Sequence, residues 1–438
     1  MRFLCFTAAI MLCSAGNAAE SWMQFRGPNG SGVSNDSASV PIDWSKTQNL
    51  AWKTALPGPG ASSPITVGQR VFVTCYSGYG TPDDTKRDIS KLTRHLCCYE
   101  LNTGALLWHQ DIEATLPEDS YYESGVSSHG YASHTPVSDG ENVYVFFGKS
   151  GVFAFDLEGQ RLWSKNVGNG SDPPKWGSAS SPIIYRDVLV ITAAAESQSI
   201  IGLDKATGKV LWKHESSSLD GMWGTPAILG VSEDRDDLVM MIAGELWGFN
   251  PITGERLWYR TGIGSKQAYT SVLCGNSQVF ASSGSGGGSL CVKIDQQVNP
   301  TEPPKLVWQS PINATYATPV MYRDEIYLIS RKILSVLDAG TGERLKQIRL
   351  KGATETGGPF GSLDYASPVC HEGLLYYLNA RGQVYVFDLN NNVKQIAVNE
   401  ITNSKAGEKE IFWGTPAITK GRLILRSNQY LYCIHDEP

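Results

Sequence analysis

The chain has 438 residues, 41% of them hydrophobic and 18% charged, with a formal net charge of −6 at pH 7. No basic arm or basic helix accompanies that acidic balance, which argues against a nucleic-acid or acidic-membrane partner. Beyond the N-terminus no apolar run approaches the length of a membrane span.

In chain order, Arg2, an apolar run over residues 3–13 and the small residues Ala18 and Ala19 have the layout of a secretory signal peptide. Residues 1–19 therefore read as a leader, with the exported protein beginning near Ala19 or Glu20. Leu12, not a small residue, precedes Cys13, so a lipid anchor is not expected, and the protein should be periplasmic or secreted. Without Cys5 and Cys13 the cysteines are odd in number and scattered, which is not a disulfide framework.

Residues 20–48 form a lead-in, and residues 49–56, with Trp52, read as an outer β-strand that has no blade of its own. A start signal then recurs at Ser63-Pro64, Thr135-Pro136, Ser181-Pro182, Thr225-Pro226, Ser271-Val272, Thr318-Pro319, Ser367-Pro368 and Thr415-Pro416. After a first interval of 72 residues the spacing is 44 to 49, the length of one four-stranded propeller blade. Each signal opens an apolar strand. A second strand follows, as in Val143–Phe147 or Glu325–Ile329, and the third ends in an acid or amide.

Glu100, Asp204, Asn250 and Asp338 each begin a turn closed by Thr-Gly, in which the side chain accepts turn amides and glycine takes positive φ. Trp108, Trp163, Trp212 and Trp258 follow on the outer strand, where a flat ring can lie between neighbouring blades. Blade five lacks the turn but keeps Trp308, blade six has Lys346 at the tryptophan position, and blade seven carries Asn390-Asn391-Asn392 instead of the turn. Those blades should dock less tightly. The last repeat has room for only three strands before Pro438, so residues 49–56 should complete it and close the ring. The fold expected is an all-β, eight-bladed propeller of four-stranded antiparallel blades over residues 20–438.

The Asp-x-x-Thr-Gly-x-x-x-Trp pattern resembles the docking motif of quinoprotein alcohol dehydrogenase-like propellers, the pyrroloquinoline-quinone-like repeat class. The segment from Trp22 to Gly30 resembles the opening of secreted propellers of this class from planctomycete-like bacteria. The ring is also similar in class to the propeller lipoprotein of the outer-membrane barrel-assembly machinery, which uses its surface for protein contacts.

For the dehydrogenases the resemblance implies pyrroloquinoline quinone on the propeller axis, calcium held by acid and amide side chains, a catalytic aspartate and often a vicinal disulfide. Cys97-Cys98 is the matching pair, but it falls inside a strand, where adjacent side chains face opposite ways, so free thiols or a bond to Cys75 are the alternatives. Cys274 and Cys291 sit two strands apart, too far for a bond. No haem-attachment or local zinc motif occurs. Only residues 77–94 and 111–132 exceed ordinary turns, and no calcium-ligand context carries over. Glu196 could face the axis, although an acid in such a turn is ordinarily solvated. His129 and His134, on the loop before blade two, are the acid–base candidates of a hydrolase reading, against the same solvated alternative.

Three residues before the anchor stand Trp223, Tyr269, Tyr316, Tyr365 and Trp413 in blades four to eight, against Ala61, Ser133 and Ala179 in blades one to three. Equivalent positions in a closed ring form an arc. Lys149, Arg331 and Arg381 occupy turns that should open on the same face. An aromatic arc beside cations suits an anionic peptide segment or an acidic glycan; packing between blades is the alternative use of the same rings. The leading expectation is an exported scaffold without cofactor that binds a protein, peptide or glycan at its axial mouth. A quinone- and calcium-dependent dehydrogenase is the alternative.

Overall fold

The computed structural model describes residues 21–436 apart from 82–83, 121–128, 174, 265–266, 285, 298–301, 353–363 and 402–409. The leader expected at 1–19 lies outside the described residues. The strands form eight sheets of four, every pairing antiparallel between sequence neighbours except where the ring closes. Blade 1 runs from Ile65–Val67 to Leu106–Glu113, blade 2 from Val137–Ser138 to Arg161–Lys165, and blade 3 from Ile183–Tyr185 to Val210–Glu215. Blades 4 to 7 begin at Ala227–Ser232, Leu273–Gly275, Val320–Tyr322 and Val369–His371. Blade 8 contains Ala417–Thr419, Arg422–Arg426 and Tyr430–Ile434, and its outer strand is Leu50–Ala55 from the other end of the chain. Trp52 lies opposite Cys433 there, so the expected closure is the observed one.

The recurring tryptophans dock one blade forward. Trp52, Trp108, Trp163, Trp212 and Trp308 each donate their indole N–H, at 2.8–3.2 Å, to the carbonyl following the turn acid of the next blade: Leu101, Leu157, Lys205, Pro251 and Ala339. Each ring lies on that turn's glycine, where a Cβ would come within 2.3–2.7 Å of it. The reach bears on blade 5, whose sequence lacks the Thr-Gly turn: Trp258 of blade 4 sends its N–H back to Asp237 Oδ2 of its own blade at 2.7 Å. Trp308 docks normally on Gly342, so the weak seam expected at blade 5 falls on its other side. In blade 6, Lys346 reaches the Asn392 carbonyl and Oδ1 of blade 7 in place of a ring.

On the third strand, the residue directly opposite each docking tryptophan is small: Cys433, Cys98, Ala154, Gly202, Gly248 and Cys291. Where no tryptophan stands, in blades 6 and 7, that residue is Val336 or Val386. Three buried cysteines thus hold a packing position, and all seven in the described chain are free thiols.

The lead-in crosses one end of the propeller. Trp22 pairs with Thr66 of blade 1, Met23 with Ser138 of blade 2, Gly32 and Ser34 with Cys370 of blade 7, and Asp36 with Gly421 of blade 8. Arg26, fully buried, donates to the carbonyls of Gly30, Ser31, Thr318 and Pro319. Burial without a carboxylate partner lowers its pKa to about 9. Among the described residues no helix is long and apolar enough to cross a membrane.

Candidate functional site

The Ser/Thr of each start signal closes a ring around the axis. The amide of Ser63 donates to Thr135 Oγ1, that of Thr135 to Ser181 Oγ, and so on through Thr225, Ser271, Thr318, Ser367 and Thr415 back to Ser63 Oγ, each bond 2.9–3.0 Å. Sequence shows that the position repeats, but each hydroxyl bonds a different blade, so its purpose is visible only in three dimensions. Every one of these hydroxyls accepts a bond within the ring and keeps its own proton to donate.

All eight ring residues line one axial cavity of about 430 Å³. Trp223, Tyr269, Tyr316, Tyr365 and Trp413 form its wall, half-buried, with Ala61, Ser133 and Ala179 on the blade 1–3 side, so the arc read from sequence assembles. Neighbouring rings touch in succession, at centroid distances of 5.3 Å for Trp223–Tyr269, 5.1 Å for Tyr269–Tyr316 and 4.8 Å for Tyr316–Tyr365. Trp176 extends the belt, 5.5 Å from Trp223, and sequence reading missed it. Its signal was the Trp-Gly dipeptide shared by Trp176, Trp223 and Trp413, displaced three residues upstream in blade 3. Asp172 sets that loop by accepting the amides of Trp176 and Gly177. Trp223 fixes it further by donating Nε1–H to the Gly177 carbonyl at 2.8 Å.

The cations do not join the arc. Lys149 is buried in an ion pair with Asp119 at 2.9 Å and also donates to Ser171 Oγ. Arg331 and Arg381 are exposed in their turns and do not line the cavity. Among the described residues, no Lys, Arg, Asp or Glu lines it at all.

Behind the blade 1–3 side lies a second, polar cluster around a void of about 10 Å³. Arg94 pairs with Glu118 at 2.5 Å, beside the Lys149–Asp119 pair. Glu196, expected to be solvated, is 5% exposed in a one-turn helix, Ala194–Ser197, and accepts from Ser178 Oγ at 2.6 Å. Its Oε2 is buried with no partner among the described residues, and burial raises its carboxyl to about 7. His134 is likewise buried, 3.1 Å from Ser178 Oγ, and its pKa falls to about 3. His129 bridges Ser133 Oγ and the Trp176 carbonyl, and burial lowers its pKa too. Both histidines are therefore packed and neutral at pH 7 rather than solvated, with His129 in the wall of the axial cavity.

These residues do not supply what an anionic quinone with calcium requires. A calcium ion takes oxygen ligands that usually include carboxylates, and the described lining offers none. Glu196 faces the separate void, and Cys97 and Cys98 are free thiols in the strand Thr93–Glu100.

An eight-bladed propeller with an aromatic-walled axial cavity defines the class. Within it, the chain belongs to the family described as outer membrane protein assembly factor BamB, whose model matches residues 96–348. Over 208 residues it is 29% identical to a quinoprotein ethanol dehydrogenase of Pseudomonas aeruginosa, covering 41% of this chain and 32% of that protein. Over 363 residues it is 21% identical to the tetrathionate hydrolase of Acidithiobacillus ferrooxidans, covering 76% of this chain and 66% of that one. The chain thus spans less than two thirds of either relative. Among solved structures, BamB from Moraxella catarrhalis aligns with a TM-score of 0.59 at 15% identity, covering 88% of this chain and 97% of that one. Quinohemoprotein alcohol dehydrogenase from Comamonas testosteroni aligns with 0.60 at 10% identity, covering 95% and 81%. At those identities the structural likeness speaks for the fold alone.

Proposed function

We propose that this chain is an exported, non-catalytic propeller scaffold that holds its partner in the axial cavity. The observation that carries the reading is the convergence of one repeat position on one cavity: five aromatic side chains from five blades, over a floor of eight ring hydroxyls. Aromatic walls with a few convergent polar groups are the usual makeup of a binding pocket. Membership of a family named for an assembly factor supports a binding role, and the signal-like residues 1–19 support export.

Two measurements test it. Purified protein titrated with pyrroloquinoline quinone and calcium should show no cofactor absorbance after gel filtration; retained absorbance with dye reduction would establish the dehydrogenase instead. A thermal-shift screen of glycans, peptides and small molecules should find ligands whose stabilising effect disappears in the Trp223→Ala, Tyr316→Ala, Trp413→Ala triple variant while that variant still melts cooperatively. Ligands that stabilise both proteins equally would place the binding site elsewhere. Mass spectrometry of the mature N-terminus should find it near Ala19 or Glu20 without an acyl chain.

A further inference from the structure

We infer that the axial cavity receives the uncharged end of a glycan chain, entering end-on past the aromatic rim; this rests on the axial cavity being the binding site. Shape gives the first argument. Phe25 of the lead-in lines the axial cavity and, with Gln24 and Arg26, also a smaller cavity beside the first strands of blades 3 and 4. The segment is held there by Arg26, whose guanidinium donates to the Thr318 and Pro319 carbonyls at the start of blade 6. The lead-in thus lies across that end of the cavity, an arrangement that favours a chain terminus or a branch tip over a threaded polymer.

Charge gives the second argument. Among the described residues the lining has no formal charge. Burial holds the His129 imidazole in its neutral form and pushes the Tyr269 phenol up to about 12. A peptide entering by its end would carry an ammonium or a carboxylate against a lining whose described residues hold no charge to pair it, and burying an unpaired charge is strongly unfavourable. The acidic glycan expected from sequence meets the same cost, because Lys149 is already neutralised by Asp119, and Arg331 and Arg381 lie outside the wall. A sugar end is polar without being charged.

Hydrogen-bonding capacity gives the third. Each ring hydroxyl, having accepted a backbone amide, keeps one proton and one lone pair. Eight such groups facing one axis can both give and receive, which matches the hydroxyls of a saccharide. The aromatic belt supplies apolar contact for its C–H surfaces: Trp176, Trp223, Tyr269, Tyr316 and Tyr365 are all half-buried in the cavity lining, and Tyr316 and Tyr365 stand at 59° to each other.

The experiment is a binding array probed with the full-length purified protein. It carries neutral and acidic oligosaccharides attached by their reducing ends, the same neutral glycans with a bulky group on the distal end, and peptides with free and with blocked termini. The expected result is binding to one or more neutral glycans, lost when the distal end is blocked, insensitive to added salt, and weakened about tenfold or more by Tyr316→Ala with Tyr365→Ala. Ala179→Trp, which fills the cavity without removing a wall residue, should abolish binding while the protein still melts cooperatively. Binding only to acidic glycans, only to peptides, or equally to blocked glycans overturns the inference; if Ala179→Trp abolishes that binding, the axial site itself stands. No binding to any probe defeats the inference, and with an empty thermal-shift screen it defeats the axial reading as well.

Discussion

The small residue opposite each docking tryptophan makes a test of side-chain size at single positions. A Cβ added at Gly248 would lie 2.0 Å from Trp258, so Gly248→Val should lose about 1–3 kcal/mol in urea unfolding. At the equivalent Cys98, Cys98→Ala should cost about 0.5–1.5 kcal/mol and Cys98→Leu clearly more; equal costs would mean the thiol itself matters. Glu196 makes a test of protonation. Its folded pKa, about 7, lies above the ordinary carboxyl value of 4.5, so the folded state holds the proton more tightly. Stability from that proton is complete below the unfolded value and is lost as pH rises through about 7. Between about pH 5 and pH 8 the wild-type protein should therefore lose up to about 3 kcal/mol relative to Glu196→Gln. A parallel pH dependence of the two proteins would contradict the buried, partly protonated acid.

At the level of elements, the start signals, docking turns and closing strand were legible because each repeats its own local chemistry. The aromatic arc was legible for the same reason. Other features depend on partners far away in sequence. Whether Lys149 meets a ligand depends on Asp119, 30 residues earlier on a different loop, and nothing in the turn around Lys149 announces it. Glu196 looks like a surface acid until Ser178 covers it. Nothing within the lead-in itself announces that it contacts blades 1, 2, 6, 7 and 8. Arg26→Met should cost about 3 kcal/mol, because it takes the donor from the buried Thr318 and Pro319 carbonyls. Limited proteolysis should then cut within residues 21–48, which stay protected in the wild-type protein.

For the whole molecule, the ring is closed twice, by the hydroxyl chain at the axis and by Leu50–Ala55 at the rim. Trp52→Ala should cost about 3–5 kcal/mol, and hydrogen exchange should quicken across Tyr430–Ile434 more than in blades 3 to 5. The rim closure also bears on how the chain is made. A ribosome delivers Leu50–Ala55 early and Tyr430–Ile434, its sheet partner among the described residues, late. Until then that early strand is an open edge able to pair with the wrong chain, and the contact that retires it pairs Leu50 with the distant Ile434. Such long-range pairing is slow, so the growing protein needs its first strand shielded until its last one arrives.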